Sequence, residues 1–250
     1  MPMPDLPKHR LYLDSALVRE VPVPLDREQA NYLLNVLRLR EGDGVLVFNG
    51  RDGEWLAAIV PEGRKQASLR PLRQVQHQTP VPDLHYLFAP LKHARLDYMA
   101  QKAVEMGAGV LQPVLTRRTQ VSRLNLERLK ANAIEAAEQC GILALPDIRS
   151  EQSLDVVLAA LEPERLLIFC DEGMAAASPV SALAETPPAP LALLIGPEGG
   201  FDDEERRRVL SRPKTIRISL GPRILRADTA AVAALALVQA TLGDWVSRSG

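Results

Sequence analysis

The sequence predicts an α/β protein in two parts: a small β-rich N-terminal unit, and a larger C-terminal unit in which strands and helices alternate around a mostly parallel sheet. Three observations carry this. Residues 1–75 hold short strand-like runs separated by glycine turns, with one helical stretch among them. Residues 76–83, Gln-His-Gln-Thr-Pro-Val-Pro-Asp, are polar and broken by prolines, which marks a linker. From residue 84 onward, compact apolar runs of strand length alternate with helical patterns.

In order along the chain, residues 10–13, 45–48, 55–60 and 67–70 read as strands, with turns at Gly42-Asp43-Gly44 and at residues 49–53. Asp26 can cap a helix running through Arg38, because Ala30, Leu33, Leu34 and Leu37 recur at helical spacing. A small β-barrel crossed by one helix accommodates this pattern. Beyond the linker, residues 84–91, 110–115, 166–170, 191–195 and 216–218 read as strands. Helices are expected over 94–106, with Gly107 as C-cap, over 126–140, after Ser178, after Phe201 and over 225–242. Apolar strands between helices indicate a sheet covered on both faces, and ligands of such sheets sit beyond the C-terminal strand ends.

Composition narrows the function classes. With 250 residues, 46% of them hydrophobic and 24% charged, the chain can bury a sizeable core and suits one or two domains, of which two is our reading. No apolar run approaches the roughly 20 residues of a membrane span. The opening Met1-Pro2-Met3-Pro4-Asp5 lacks the basic-then-apolar pattern of a signal peptide, so a cytoplasmic protein without membrane association is expected. Cys140 and Cys170 offer neither a disulfide framework nor a zinc spacing, and His9, His77, His85 and His93 show no ligand spacing; no metal is expected. A net charge of −1 argues against a polycation that coats nucleic acid, yet leaves room for a local basic patch. Arginine outnumbers lysine 24 to 6, which suits phosphate forks and base stacking but equally fits a compositional bias of the source.

Two loops stand out near the C-terminus. Gly196-Pro197-Glu198-Gly199-Gly200 follows an apolar strand, and Ser219-Leu220-Gly221-Pro222-Arg223-Ile224-Leu225-Arg226 leads into an alanine-rich helix. Glycine beside proline at a strand end makes a sharp turn that exposes main-chain N–H and C=O groups, and two such turns at one sheet edge suggest a site for a small organic cofactor. Asp171-Glu172-Gly173, after Cys170, falls at the same edge. Neither loop is a P-loop or a G-x-G-x-x-G fingerprint. Glu198, buried-looking between glycines, can accept main-chain hydrogen bonds, contact a ribose or base, or hold an arginine. Arg223 and Arg226 can face an anionic substrate, or Arg226 can pair with Asp228 or Glu198. The acids at residues 202–205 read as a helix start capped by Asp202, and the arginines at 206–208 mainly as a solvated face. The alanines at 230, 231, 233, 234 and 236 suit close packing, including a dimer interface.

These two loops, in this order, resemble those of the SPOUT-class methyltransferases, and within them the RsmE family of bacterial small-subunit ribosomal RNA uridine-N3 methyltransferases. Val36-Leu37-Arg38-Leu39 followed by Gly42-Asp43, then Asn49-Gly50, residues 101–107, Pro113, Arg118 and residues 135–141 before Pro146 extend the resemblance over nearly the whole chain. It implies a PUA-like RNA-binding barrel over 1–75, a linker over 76–83, and a methyltransferase domain with a trefoil knot over 84–250. It also implies a homodimer acting on small-subunit ribosomal RNA or the assembled small subunit. S-adenosylmethionine would lie against Cys170, Asp171, Glu172, Ile195, Gly196, Pro197, Glu198, Gly199, Gly200, Ser219, Leu220, Gly221, Ile224 and Leu225. Uridine N3 carries a proton, so Arg226 is the candidate cation for the uridine anion and Glu198 the candidate base. Arg10, Arg38, Arg40, Lys102, Arg118 and Arg223 are the expected RNA contacts. Ile142 replaces a frequent arginine of the family, Asp228 a glutamate, and Asn31 a common histidine. The competing readings are a SPOUT enzyme acting on another nucleotide and a noncatalytic RNA-binding ribosome-assembly protein.

Overall fold

The structure is a computed structural model that describes residues 6–63, 66–92, 94–121, 123–174 and 178–246. His93 and Met1 to Asp5, named above, lie outside the described residues. The chain divides into two compact units, one comprising residues 1–80 with 137–144, the other residues 81–136 with 145–250.

The first unit is built on a five-stranded sheet. Strand β1 (Arg10–Tyr12) pairs in parallel with β3 (Gly44–Phe48), which continues antiparallel through β4 (Glu54–Pro61) and β5 (Ala67–Gln76) to β2 (Val23–Pro24). Leu11, Val45, Val47, Ala57, Ile59 and Leu69 form its core together with Leu33 from the helical segment. Asn49 orders the β3–β4 turn: its Oδ1 accepts from the N–H groups of Arg51 and Asp52, and its Nδ2 donates to the Asp52 carboxylate. The expected helix starts as read, with Asp26 and Gln29 forming a capping box, but is regular only over α1 (Arg27–Asn31). It then widens into a π-helical turn over Tyr32–Val36 and ends at Arg38, whose φ of 57° is left-handed. Two strand readings change. The strand begun at Ala67 runs on to Gln76, so that residue is sheet and not linker, and the two-residue β2 escaped notice because its proline sits on a sheet edge.

The second unit holds a parallel sheet in the order β12-β10-β11-β6-β7-β8, where β6 is Leu84–Phe88, β7 Val110–Leu115, β8 Asp147–Ile148, β10 Leu166–Cys170, β11 Leu191–Ile195 and β12 Thr215–Ile218; β9 (Gln152–Ser153) also pairs with β7. Every residue of β6, β10 and β11 is buried, as a sheet covered on both faces requires. The helices are α2 (Ala94–Glu105), α3 (Leu126–Cys140, whose residues 137–140 belong to the first unit), α4 (Leu154–Ala160), α5 (Pro179–Ala184), α6 (Asp203–Ser211) and α7 (Ala227–Thr241). Gly107 has a φ of 77° just beyond α2, the C-cap conformation expected of it. Helix α4 was not anticipated; its seven residues fall below the length at which periodicity is decisive. In α7, Ala231 and Ala234 are buried, and the helix packs against α2, α5 and β11.

Strands β10, β11 and β12 are neighbours in register, with Cys170 beside Ile218. Their carboxyl ends therefore deliver the loops at 171–173, 196–200 and 219–226 to one edge.

Candidate active site at the carboxyl edge of the parallel sheet

The three loops enclose a cavity of about 300 Å³ lined by Cys170, Asp171, Glu172, Ile195, Gly196, Pro197, Glu198, Gly199, Ser219, Leu220, Gly221, Pro222, Arg223, Ile224 and Leu225, with Ala227 and Ala230 of α7. All the residues expected to touch the cofactor are in this wall except Gly200, which turns the first loop from behind it. The N–H of Gly200 donates to the Pro197 carbonyl at 2.9 Å and its φ is 68°, a conformation favouring glycine. A Cβ at Gly196 would run into the ring of buried Phe201, so this glycine keeps the strand end close to the helix that follows.

Asp171 anchors the third loop from inside. Its side chain has no solvent exposure and accepts from Arg206 at 3.0 Å, Arg217 at 2.7 Å and the Gly173 N–H at 3.0 Å. Arg206 thus leaves the solvated face read for residues 206–208 and packs over Gly173, where a Cβ would lie 2.6 Å from its Nη1. The acid run behaves as read at its start: Asp202 accepts from the N–H groups of Glu204 and Glu205 and closes a capping box. The main-chain hydrogen bond from Glu205, then the hydrogen bond and charge of Arg117, hold the Asp202 carboxyl below its ordinary range. Burial pushes the Cys170 thiol well up, so it stays a neutral wall group.

Glu198 is not buried. Its carboxylate is half exposed, with a side-chain exposure of 52%, and is gripped by Arg95, a residue the sequence reading passed over. The same guanidinium forks onto Asp228, with Nε and Nη2 each 3.0 Å from a carboxylate oxygen. Arg95, in the first turn of α2, therefore ties the first loop to the start of α7, the bracing role that had been considered for Arg226. Hydrogen bonding to Asp228, then to Glu198, raises the Arg95 pKa, and the same bonds lower that of Asp228. Position was the available signal: α2 follows the carboxyl end of β6, on the edge where such sheets bind ligands.

Arg226 is exposed at the N-terminus of α7, between the lining residues Leu225 and Ala227, and is not itself in the cavity wall. Arg223 lines the cavity and is exposed. Arg118 lies along Gly199, donating to its carbonyl at 2.5 Å. Lys102 is bonded to both Glu105 oxygens at 2.8 Å and sits over the Tyr98 ring. Arg38 and Arg40 are exposed in the first unit.

Arg10 is turned inward. It was expected on an RNA-facing surface, but only 10% of its side chain is exposed, and it is consumed internally. It pairs with buried Glu54 at 2.6 Å, donates to the carbonyls of Ala137, Glu138 and Ile142 at the end of α3, and covers the Phe48 ring. A guanidinium is the side chain with enough donors to close so many orphan helix carbonyls at once. Ile142 takes part through its main chain, and Asn31 accepts a hydrogen bond from Asn35. Among the described residues no cluster of His, Cys, Asp and Glu is arranged to hold a metal ion.

The chain thus combines a β-rich unit with a parallel-sheet unit whose carboxyl edge carries a loop-built cavity, and comparison with known proteins gives the class, an RNA methyltransferase. A family model described as an RNA methyltransferase domain matches residues 77–239, and one described as an RNA methyltransferase PUA domain matches residues 25–72. The chain is 31% identical to ribosomal RNA small subunit methyltransferase E of Rickettsia conorii, covering 92% of this chain and 95% of that one. It is 33% identical to the Synechocystis protein of the same name over 94% and 78% of the respective chains. The structure of the Neisseria gonorrhoeae protein of that name, bound to S-adenosylmethionine, superposes with a TM-score of 0.83 at 26% identity over 95% of this chain and 99% of that one. A Legionella pneumophila structure with S-adenosylmethionine as bound cofactor gives 0.80 at 30% identity over 94% and 98%. The chain belongs to the ribosomal RNA small subunit methyltransferase E family.

Proposed function

We propose that this protein transfers a methyl group from S-adenosylmethionine to N3 of a uridine in small-subunit ribosomal RNA. The observation that carries this reading is the cavity of about 300 Å³ built by three loops at one sheet edge in a chain of this family. Its wall fits the cofactor. Leu220, Leu225, Ala227 and Ala230 offer an apolar surface for a purine ring, while the main chain of 195–199 and 219–221 supplies hydrogen-bonding edges. The Glu172 carboxylate suits ribose hydroxyls or an ammonium group. S-adenosylmethionine supplies an electrophilic sulfonium methyl, so the work left to the protein is alignment and exclusion of water.

Uridine N3 must lose its proton as it attacks. Arg95 holds one oxygen of Glu198, which leaves the other to accept that proton. Arg226, exposed beside the second loop, stabilises the negative charge that develops on the uracil oxygens. Residues 1–75 act in this reading as the RNA-binding barrel, with Arg38 and Arg40 on flanking phosphates, and 84–250 as the methyltransferase domain. Lys102, Arg118 and Arg223 contact the RNA from the second domain. Threading of the two glycine-proline loops into a trefoil knot, a homodimer and a cytoplasmic location belong to the same reading.

The test is tritiated methyl transfer to unmodified small-subunit RNA and to intact subunits, followed by nucleoside analysis. The expected product is 3-methyluridine; a different methylated nucleoside refutes the base assignment. Arg226→Ala is expected to retain S-adenosylmethionine binding and to lose at least about tenfold in transfer. Transfer at near the wild-type rate refutes its role.

A further inference from the structure

A second cavity, of about 220 Å³, lies at the same edge of the sheet. The first stands over the ends of β12, β10 and β11, the second over those of β11, β6 and β7, and these strands are consecutive in the sheet. Pro197, Glu198 and Gly199 line both. The first loop is therefore a partition shared by two adjoining sites.

The chemistry of the second cavity differs from that of the first. Three of its lining side chains are cationic, Lys92, Arg95 and Arg118, against the single carboxylate of Glu198, which Arg95 already pairs. Its apolar surface comes from buried Pro90 and Leu91 and from half-buried Val121. Gly199 has a reason to be glycine here: a Cβ would come within 3.3 Å of the Arg118 stem, which lies along the partition. An apolar surface together with cationic side chains in one cavity suits a ring that carries a phosphate. At about 220 Å³ the space falls below the roughly 300–1,000 Å³ of sites for drug-sized ligands, so it has room for a single-ring base.

We propose that this cavity receives the acceptor nucleotide of the RNA, its pyrimidine ring against Pro90, Leu91 and Val121 and its phosphate on Lys92 and Arg118. Glu198, in the shared wall, then adjoins both the acceptor and the methyl donor, and Arg95 positions it. This rests on the reading that the first cavity holds S-adenosylmethionine. Only an exposed nucleotide can enter such a pocket, so the substrate is a base that is unpaired or flipped out of its stack.

Two variants test the assignment, each measured for S-adenosylmethionine binding by calorimetry and for methyl transfer to small-subunit RNA. Val121→Trp fills the acceptor cavity: S-adenosylmethionine affinity should stay within about twofold of wild type while kcat/KM for RNA falls at least about tenfold. Lys92→Glu reverses charge in the cavity wall and should raise the RNA KM at least about fivefold with cofactor affinity unchanged. If Val121→Trp loses cofactor binding through misfolding, Lys92→Glu decides. Wild-type protein that fails to bind S-adenosylmethionine overturns the underlying reading. Wild-type protein that binds and transfers while a folded Val121→Trp, or Lys92→Glu, does so within about twofold of it overturns the acceptor site.

Discussion

Asp171→Ala should destabilise the second unit and loosen the cofactor site together, because one buried carboxylate holds the third loop. Its side chain is fully buried and accepts from two arginines and from the Gly173 N–H. Breaking a buried ion pair from one side costs roughly 3–5 kcal/mol, since the other charge is left uncompensated. Here the orphaned partners, Arg206 and Arg217, have side chains 27% and 36% exposed, and water recovers part of that cost. The expected loss is therefore about 2–4 kcal/mol. At about 2–4 °C per kcal/mol for a chain of this size, the melting transition of the second unit should fall by about 5–15 °C in calorimetry. Asp171→Asn keeps the shape and one acceptor but turns amide donors toward a guanidinium, so it should fall between wild type and alanine. S-adenosylmethionine affinity should weaken in parallel, because Asp171 and Glu172 belong to the cavity wall. A melting shift below about 2 °C with unchanged cofactor affinity would refute the anchoring role of Asp171.

Arg95→Ala should weaken S-adenosylmethionine binding about five- to tenfold, roughly 1–1.4 kcal/mol, by freeing Glu198 and Asp228; Arg95→Lys should recover only part, because an ammonium cannot make the two-pronged contact. Arg95 hydrogen bonds hold the Asp228 carboxyl low, so its contribution to stability is present above the ordinary aspartate range and is lost as pH falls through its lowered value. In urea titrations at several pH values, the stability gap between wild type and Arg95→Ala should therefore be full above the ordinary aspartate range and narrow as pH falls below it. The Glu162 carboxyl is drawn down to about 2, first by its hydrogen bond from Arg165, so the pair stabilises fully above the ordinary glutamate range and fades as pH falls toward about 2. The stability gap between wild type and Glu162→Gln should accordingly close across that interval, and a gap that is constant with pH refutes the pairing. Arg10→Ala should cost about 3–5 kcal/mol in the first unit by leaving Glu54 buried and unpaired, with melting temperature as the readout. At low temperature, the folded variant should bind RNA with unchanged affinity and salt dependence, the opposite of a phosphate contact.

The extent to which the sequence exposes this protein depends on the range of the interactions involved. Strands β7, β10 and β11 and helix α3 were legible to the residue because their apolar runs, buried on both faces or along one stripe, are local signals. So were the Asp26 and Asp202 caps, which act over three residues. The gathering of the loops after Cys170, Ile195 and Ile218 followed from β–α alternation alone, since parallel strands must bring their carboxyl ends to one edge. Which charges meet is another matter. Arg95 reaches Asp228 across 133 positions, Arg10 reaches Ile142 across 132, and Arg206 meets a carboxylate on a loop between different elements. No spacing rule spans such separations, so the pairing with Glu198 and Asp228, left open for Arg226, falls to Arg95, and Arg10, expected as an RNA contact, is turned inward. The sequence by itself determined the elements, the class of sheet and the edge that carries the site. Tertiary structure alone decided the pairing of its ions, the exposure of Glu198 and the partition between two cavities, because side chains distant along the chain are matched only when the packed sheet sets their distance.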